Sequence, residues 1–269
     1  MDIDAAVFER LWQRWDFGQP DVSEERFRTE LAGADGEEAL LVRTQLARAL
    51  GLQNRFDECA VELDAVADRV AADAPEATPL VRAYERLERG RMHRSSGQPD
   101  QAVPHFLAAL EVSESAGLDH VAADAAHMMA IVGEGDDQIT WAQRALAIAN
   151  ASSEPRARRW IGSVENNLGW TLHDLGRFAE AQEHFERALQ ARVEQGDAEL
   201  IRIGRWTVAR GLRSLGQLDE ALEIQRDLHA NGPEDGYVEE ELAELLRALG
   251  RDAEAQPHAD RAKELLGTG

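Results

Sequence analysis

Residues 165–189 read Glu-Asn-Asn-Leu-Gly-Trp-Thr-Leu-His-Asp-Leu-Gly-Arg-Phe-Ala-Glu-Ala-Gln-Glu-His-Phe-Glu-Arg-Ala-Leu. The apolar spacing predicts two short amphipathic helices joined by a tight turn at Gly176. Gly169 lies seven residues before that turn, and Ala181 and Ala188 lie five and twelve after it. Small residues on both helices let the two backbones approach closely, and Phe185 fills the space between them. The stretch therefore predicts an antiparallel helix pair.

The same arrangement recurs in six units along the chain. Their turn residues are Gly or Asn, which tolerate the left-handed backbone conformation that ends a helix tightly: Asn54, Gly97, Gly133, Gly176, Gly216 and Gly250. A small residue lies seven positions before every turn: Ala47, Gly90, Ala126, Gly169, Ala209 and Ala243. Five of the six positions that lie five after a turn are also small, with Gln138 as the exception: Cys59, Ala102, Ala181, Ala221 and Ala255. A phased set over six units indicates a structural repeat.

This pattern resembles the tetratricopeptide repeat, a helix–turn–helix unit with a basic period of about 34 residues. The turn-to-turn spacings here are 43, 36, 43, 40 and 34, and the start Asn166–Gly169 looks like the long repeats of kinesin light chains. Bacterial peptide-sensing regulators use related long repeats. The resemblance covers about residues 40–266 and implies an all-α, right-handed α-solenoid of about six repeats.

The resemblance sets the expected domain organisation. Residues 35–269 should form one continuous solenoid, and residues 1–34 an N-terminal capping helix pair, because Phe8, Leu11, Trp12 and Trp15 share one helical face. Terminal repeats often depart from the consensus in this way, so we expect the two Trp side chains to pack within the cap.

Composition limits the classes of function. A net charge of −22 and a pI near 4.7 disfavour nucleic acid and anionic membranes as general partners. The single Cys59 excludes an internal disulfide and is expected to be a small buried hydrophobe. No apolar run approaches the ~20 residues of a membrane span, and no signal-peptide core is present. We expect a soluble, cytoplasmic protein.

The chain carries none of the common catalytic or cofactor motifs. It has no Gly-rich phosphate loop, no His-Glu-x-x-His and no Gly-x-Ser-x-Gly, so we expect no enzyme and no cofactor. His120 and His127 could share a helix face, but no third metal ligand accompanies them. The acidic segment 133–137 lacks the ligand spacing of a calcium loop. No metal site is predicted.

In the family, the first helix of each repeat lines the inner face of the solenoid. The positions ten, six and three before each turn residue then form one stripe on the first helices. These eighteen positions hold six Arg and two Glu, which gives the stripe a formal charge of +4 in a chain whose net charge is −22. We therefore predict a basic, aromatic peptide-binding groove with these side chains: Arg91, Arg94, His127, Asn166, Trp170, His173, Trp206, Arg210, Arg213 and Arg247.

Each residue type has an expected role in this groove. Arg91, Arg94, Arg210 and Arg213 would pair with acidic side chains or a terminal carboxylate, and the Trp side chains would take apolar groups. The family implies that Asn166 contacts the peptide backbone. We expect Arg210 and Arg213 to face water, so that reversing both charges leaves the fold intact. The alternative is that the Arg side chains lie along the surface or pair with neighbouring acids.

The favoured function is a non-enzymatic adaptor that binds a peptide segment, with a protein or peptide as its partner. Other functions stay open at this point. The chain could be a signalling regulator or enzyme accessory protein that senses a small peptide or anion, or a scaffold that assembles with itself as a homo-oligomer. RNA binding through the basic groove is weakened by the acidic remainder of the chain.

Overall fold

The computed structural model describes residues 9–267, which form helices joined by turns and loops, with no strand. Residues 9–12 are helical, and fourteen helices follow: α1 Pro20–Leu31, α2 Gly36–Leu52, α3 Phe56–Ala71, α4 Pro79–Ser95, α5 Pro99–Ala116, α6 Asp119–Val132, α7 Asp136–Ala151, α8 Pro155–Arg158, α9 Trp160–Asp174, α10 Phe178–Gln195, α11 Ala198–Ser214, α12 Leu218–Asn231, α13 Gly236–Ala248 and α14 Asp252–Leu266. The predicted all-α class with successive helix pairs is confirmed. None of the helices in this span is both long and apolar enough to cross a bilayer.

The chain divides into two compact units between Arg158 and Arg159. The first unit contains α1–α8, with the repeat pairs α2/α3, α4/α5 and α6/α7. The second contains α9–α14, with the pairs α9/α10, α11/α12 and α13/α14. The single continuous solenoid over residues 35–269 stays a prediction, and each unit is described by itself.

Five of the six predicted turn residues adopt the left-handed conformation, with φ between 59° and 81°: Asn54, Gly97, Gly176, Gly216 and Gly250. The prediction for Gly133 is wrong, because this residue ends α6 with an extended backbone and the positive φ of 56° falls on Gly135. The second helix of that repeat consequently starts three residues after Gly133 instead of two. This shift accompanies the one polar exception, Gln138, which is only half-buried.

The small residues lie where the helices touch. A Cβ atom added to Gly169 would lie 2.5 Å from ring atoms of Phe185, and one added to Gly90 would lie 2.4 Å from the ring of Phe106. Cys59 is buried in the equivalent contact of α2 and α3, and burial raises the pKa of its thiol to about 12. The thiol therefore stays protonated and serves as a small core residue, as predicted.

The N-terminal segment packs through its aromatic residues. Leu11 and Phe27 are buried, and the Trp15 ring stacks on Phe17 with centroids 4.7 Å apart and meets Phe27 edge-on at 5.1 Å. The guanidinium of Arg48 lies 5.4 Å from the centroid of Trp15. Trp15 therefore packs among aromatic side chains as expected, whereas Trp12 is 39% exposed. Phe8 falls outside the described residues, and the capping helix pair over residues 1–34 stays a prediction.

Replacing Gly169 with Leu, or even with Ala, should destabilise the protein. The new side chain would collide with Phe185, so we expect a loss of about 1–3 kcal/mol in the free energy of unfolding, measured by urea denaturation. Ala181→Leu, on the facing helix, should act in the same direction.

Gly51→Ala is the matched control, since a Cβ at this helical glycine would lie 3.8 Å from the Cys59 sulfur, an ordinary contact. It should stabilise by about 0.4–1 kcal/mol because Ala restricts the unfolded chain. Equal effects of Gly169→Ala and Gly51→Ala would contradict the close helix contact.

Candidate functional site on the first-helix face

The first helices of successive repeats also contact one another within each unit. Contacts join α2 to α4 and α4 to α6 in the first unit, and α11 to α13 in the second. The surface that these helices present, on the side of the predicted stripe, is called the first-helix face below. All ten predicted site residues lie on the first helices α4, α6, α9, α11 and α13.

In the first unit, acidic side chains of the protein itself form ion pairs with Arg91 of the predicted groove. The Arg91 guanidinium lies 2.5 Å from a Glu88 oxygen and 2.5 Å from an Asp124 oxygen, and only 14% of its side chain is exposed. Arg48 lies 3.9 Å from the same Glu88. Glu88 and Asp124 are both buried, so Arg91 neutralises charge inside the unit.

The other two predicted residues of this unit differ in exposure. His127 is buried at 5% exposure, and burial, with a smaller contribution from Arg91, lowers the pKa of its imidazole to about 4. It is neutral at neutral pH and does not line an open surface, so its role in peptide binding stays a prediction. Arg94 is exposed and has no ion-pair partner among residues 9–267.

On the second unit, one buried carboxylate holds two predicted Arg residues. Arg213 donates hydrogen bonds of 2.8 and 2.9 Å to the two oxygens of Glu241, and the Nε atom of Arg210 lies 3.1 Å from the same carboxylate. Only about a quarter of either Arg side chain is exposed. The expectation that both residues face water is therefore wrong, because α13 supplies a partner.

Three of these ion pairs follow one rule. An Arg six residues before a turn pairs with an acid nine residues before the next turn: Arg48 with Glu88, Arg91 with Asp124, and Arg210 with Glu241. The sequence reasoning counted positions ten, six and three before each turn and left out position nine. That position lies beside the stripe, between neighbouring first helices, and its acids cancel much of the predicted positive charge.

Aromatic side chains form a row across the second unit. The Trp170 and Trp206 ring centroids are 6.3 Å apart, and Trp206 and Tyr237 are separated by the same distance in an edge-on arrangement. Trp206 Nε1–H donates a 3.1 Å hydrogen bond to the Tyr237 carbonyl, which fixes the indole across α11 and α13. Trp170 also packs on the core residue Phe185 at 5.1 Å. The row is thus anchored in the core.

Polar groups border the row. His173 Nε2 lies 2.8 Å from Ser214 Oγ, to which Arg210 donates a second 2.8 Å hydrogen bond. Burial and the neighbouring Arg210 lower the pKa of His173, so its imidazole is neutral at neutral pH. The Asn166 amide N–H contacts Asn167 at 3.4 Å, and its buried carbonyl oxygen has no hydrogen-bond partner among the described residues.

A pocket of about 460 Å³ opens beside Trp206. Ile203 and Tyr237 form its apolar walls together with Trp206, and the paired side chains Arg202 and Asp235 form its rim, with an Arg202–Asp235 distance of 2.5 Å. Tyr237 is 58% exposed and Ile203 is 38% exposed, both high values for large apolar side chains. Its volume falls within the range typical of ligand pockets, about 300–1,000 Å³.

The sequence reasoning missed the pocket residues. Ile203 and Tyr237 both lie thirteen positions before a turn residue, one helical turn beyond the last counted position. Continuing the stripe by three residues would have found them. The remaining predicted residue, Arg247, pairs with Glu244 of its own helix at 2.9 Å.

Comparison with known proteins supports the repeat assignment. Models described as tetratricopeptide repeat match residues 126–194, 160–233 and 40–65. The chain belongs to the tetratricopeptide-repeat family. No match was found among curated proteins.

Solved structures with the same fold share little sequence with this tetratricopeptide-repeat protein. A STAND signal transduction ATPase with a tetratricopeptide repeat sensor, from Pyrococcus horikoshii, superposes with a TM-score of 0.72 at 14% identity, covering 97% of this chain and 40% of that one. The apo form of RapI superposes with a TM-score of 0.69 at 11% identity, covering 98% and 76%. These similarities establish the fold. Tetratricopeptide repeats typically serve protein–protein interaction without catalysis, so membership supports an interaction module.

Glu241→Gln should destabilise the second unit more than Glu244→Gln. The first change leaves Arg210 and Arg213 facing a neutral amide in a buried position, and we expect a loss of roughly 1.5–3 kcal/mol in unfolding free energy. Glu244 pairs with Arg247 at an exposed site, where a pair contributes about 0–1 kcal/mol.

Urea melts of the two variants at low and high salt are the measurement. Only the exposed pair should weaken as salt rises, because a buried pair is screened less. Equal destabilisation by the two substitutions would show that Glu241 does not hold the two Arg side chains.

Proposed function

We propose that the chain is a protein–protein interaction module that binds a peptide segment along the first-helix face of its second unit. The observation that carries this proposal is the row of Trp170, Trp206 and Tyr237, which ends at an open apolar pocket. Large aromatic side chains that stay partly exposed on a rigid scaffold are typical anchors of binding. A bulky apolar side chain of the peptide would enter between Ile203 and Tyr237.

Polar groups would set the position of the peptide backbone. Asn166, whose carbonyl oxygen lacks a hydrogen-bond partner within residues 9–267, lies in the slot that contacts peptide backbone in relatives. An amide makes such contacts without regard to side-chain sequence. His173 and Ser214 offer further hydrogen-bonding groups beside Trp170. The backbone contacts would then give general affinity, and the pocket would give selectivity.

Charge would contribute less than the sequence suggests. Arg210, Arg213 and Arg247 are matched by Glu241, Glu244 and the exposed Glu240 on α13. An acidic group on the peptide would compete with Glu241 for the two Arg side chains. We therefore place the apolar anchor first and an acidic group second, and we expect a shallow dependence of affinity on salt.

The test is selection from a random-peptide library on the purified full chain, followed by titration of a selected, fluorescently labelled peptide. Selected peptides should share one bulky apolar residue. Ile203→Asp, which places a charge on the apolar wall, and Tyr237→Ala, which removes a wall, should each weaken binding about tenfold or more, equivalent to about 1.4 kcal/mol. Circular dichroism should show unchanged helicity, since both side chains are exposed.

Val193→Asp is the matched control, because Val193 is a 50% exposed apolar residue of the same unit that lies outside the pocket, on the second helix α10. It should bind the peptide like the unmodified chain. The proposal fails if no peptide is enriched, or if Ile203→Asp and Val193→Asp bind equally. A steep salt dependence would instead favour the acidic contact with Arg210 and Arg213 as the main determinant.

A further inference from the structure

Two histidines converge on one buried carboxylate in the second unit. His229 Nδ1 of α12 lies 2.8 Å from one oxygen of Glu239, and His258 Nδ1 of α14 lies 2.6 Å from the other. The two imidazole rings meet edge-on with centroids 5.4 Å apart, and the three potential ligand atoms lie within 4.8 Å of one another. Three successive helices thus bring two nitrogens and one carboxylate together.

The lack of a neighbouring Arg or Lys among the described residues distinguishes Glu239 from two other Glu residues that contact His. Glu165 accepts from His184 and also faces Arg187 at 3.4 Å, and Glu154 contacts both His120 and Arg156. Glu239 is 4% exposed and has no Arg or Lys partner within residues 9–267. Burying a carboxylate without a nearby cation costs free energy of folding. A positively charged ligand would offset this cost at Glu239.

We infer that His229, Glu239 and His258 form a binding site for a divalent transition-metal ion, with Zn²⁺ as the probe of choice. Two imidazole nitrogens and one carboxylate are a ligand set that Zn²⁺ uses, and imidazole also suits Ni²⁺, Cu²⁺ and iron. Modest side-chain movement would place all three donors at the bond lengths of about 2.0–2.2 Å that Zn²⁺ requires. The ion would supply the positive charge that Arg supplies at Glu165 and Glu154.

The site is open to solvent at its histidines and closed at its carboxylate. The side chains of His229 and His258 are 48% and 26% exposed, whereas that of Glu239 is 5% exposed. An ion can therefore enter from the surface and still reach the buried charge. Because its ligands come from α12, α13 and α14, bound metal would join the last three helices and stabilise the folded chain in proportion to its occupancy.

The experiment uses the full chain with any affinity tag removed, since a polyhistidine tag binds the same metals. Zn²⁺ titration calorimetry should give one site per chain, and thermal unfolding should shift to higher temperature with added Zn²⁺. Co²⁺ provides a spectroscopic check through the visible absorption of the bound ion. His258→Gln should reduce Zn²⁺ affinity by about tenfold or more, because it removes a direct ligand. Glu239→Gln should have the same effect.

His184→Gln is the matched control, because His184 also contacts a buried Glu but has an Arg beside it. It should bind Zn²⁺ with unchanged stoichiometry and affinity. His258→Gln retains a donor for Glu239 and alters a partly exposed side chain, so this variant should fold even if Glu239→Gln does not. The inference is overturned if the unmodified chain binds no Zn²⁺. It is equally overturned if His258→Gln binds like the unmodified chain.

Discussion

The close approach of the two helices within each repeat is the constraint on which the structure depends. At Gly169 there is no room for even one methyl group beside the Phe185 ring, and Gly90 meets Phe106 in the same way. This contact sets the distance between first and second helices, and the left-handed turn residue sets their direction. Once both the distance and the direction are fixed in successive repeats, the positions that face the next repeat recur at constant offsets from the turn.

Those offsets explain the pairing of Arg with acids between repeats. Because neighbouring first helices lie side by side, the Arg six residues before one turn reaches the acid nine residues before the next, as Arg91 reaches Asp124 and Arg210 reaches Glu241. Both partners are largely removed from water, so removing one leaves an uncompensated charge. The recurrence of Arg along the chain therefore has a structural origin, and it need not indicate binding of an acidic ligand.

The sequence predicted the parts of the structure that follow from local rules. Small residues and turn glycines are local signals, and they correctly placed five of six turns. Glycine alone did not distinguish Gly133 from Gly135, since either can take a positive φ. Contacts between repeats were less accessible, because Glu241 and Arg213 are 28 residues apart and the link depends on the packing of α11 against α13. The cluster of His229, Glu239 and His258 was not predicted from the sequence for the same reason.

The aromatic row lies where the pairing between repeats is interrupted. In the contact of α9 with α11, the positions that hold Arg and an acid at three other junctions hold Trp170 and Thr207. Thr207 is buried and donates its hydroxyl to the Ile203 carbonyl, so it offers no charge to a partner. An Arg in place of Trp170 would leave a cation without a carboxylate, whereas Trp170 packs against Trp206 and Phe185. The apolar surface thus replaces an ion pair at one junction, and this substitution makes the second unit the candidate for binding.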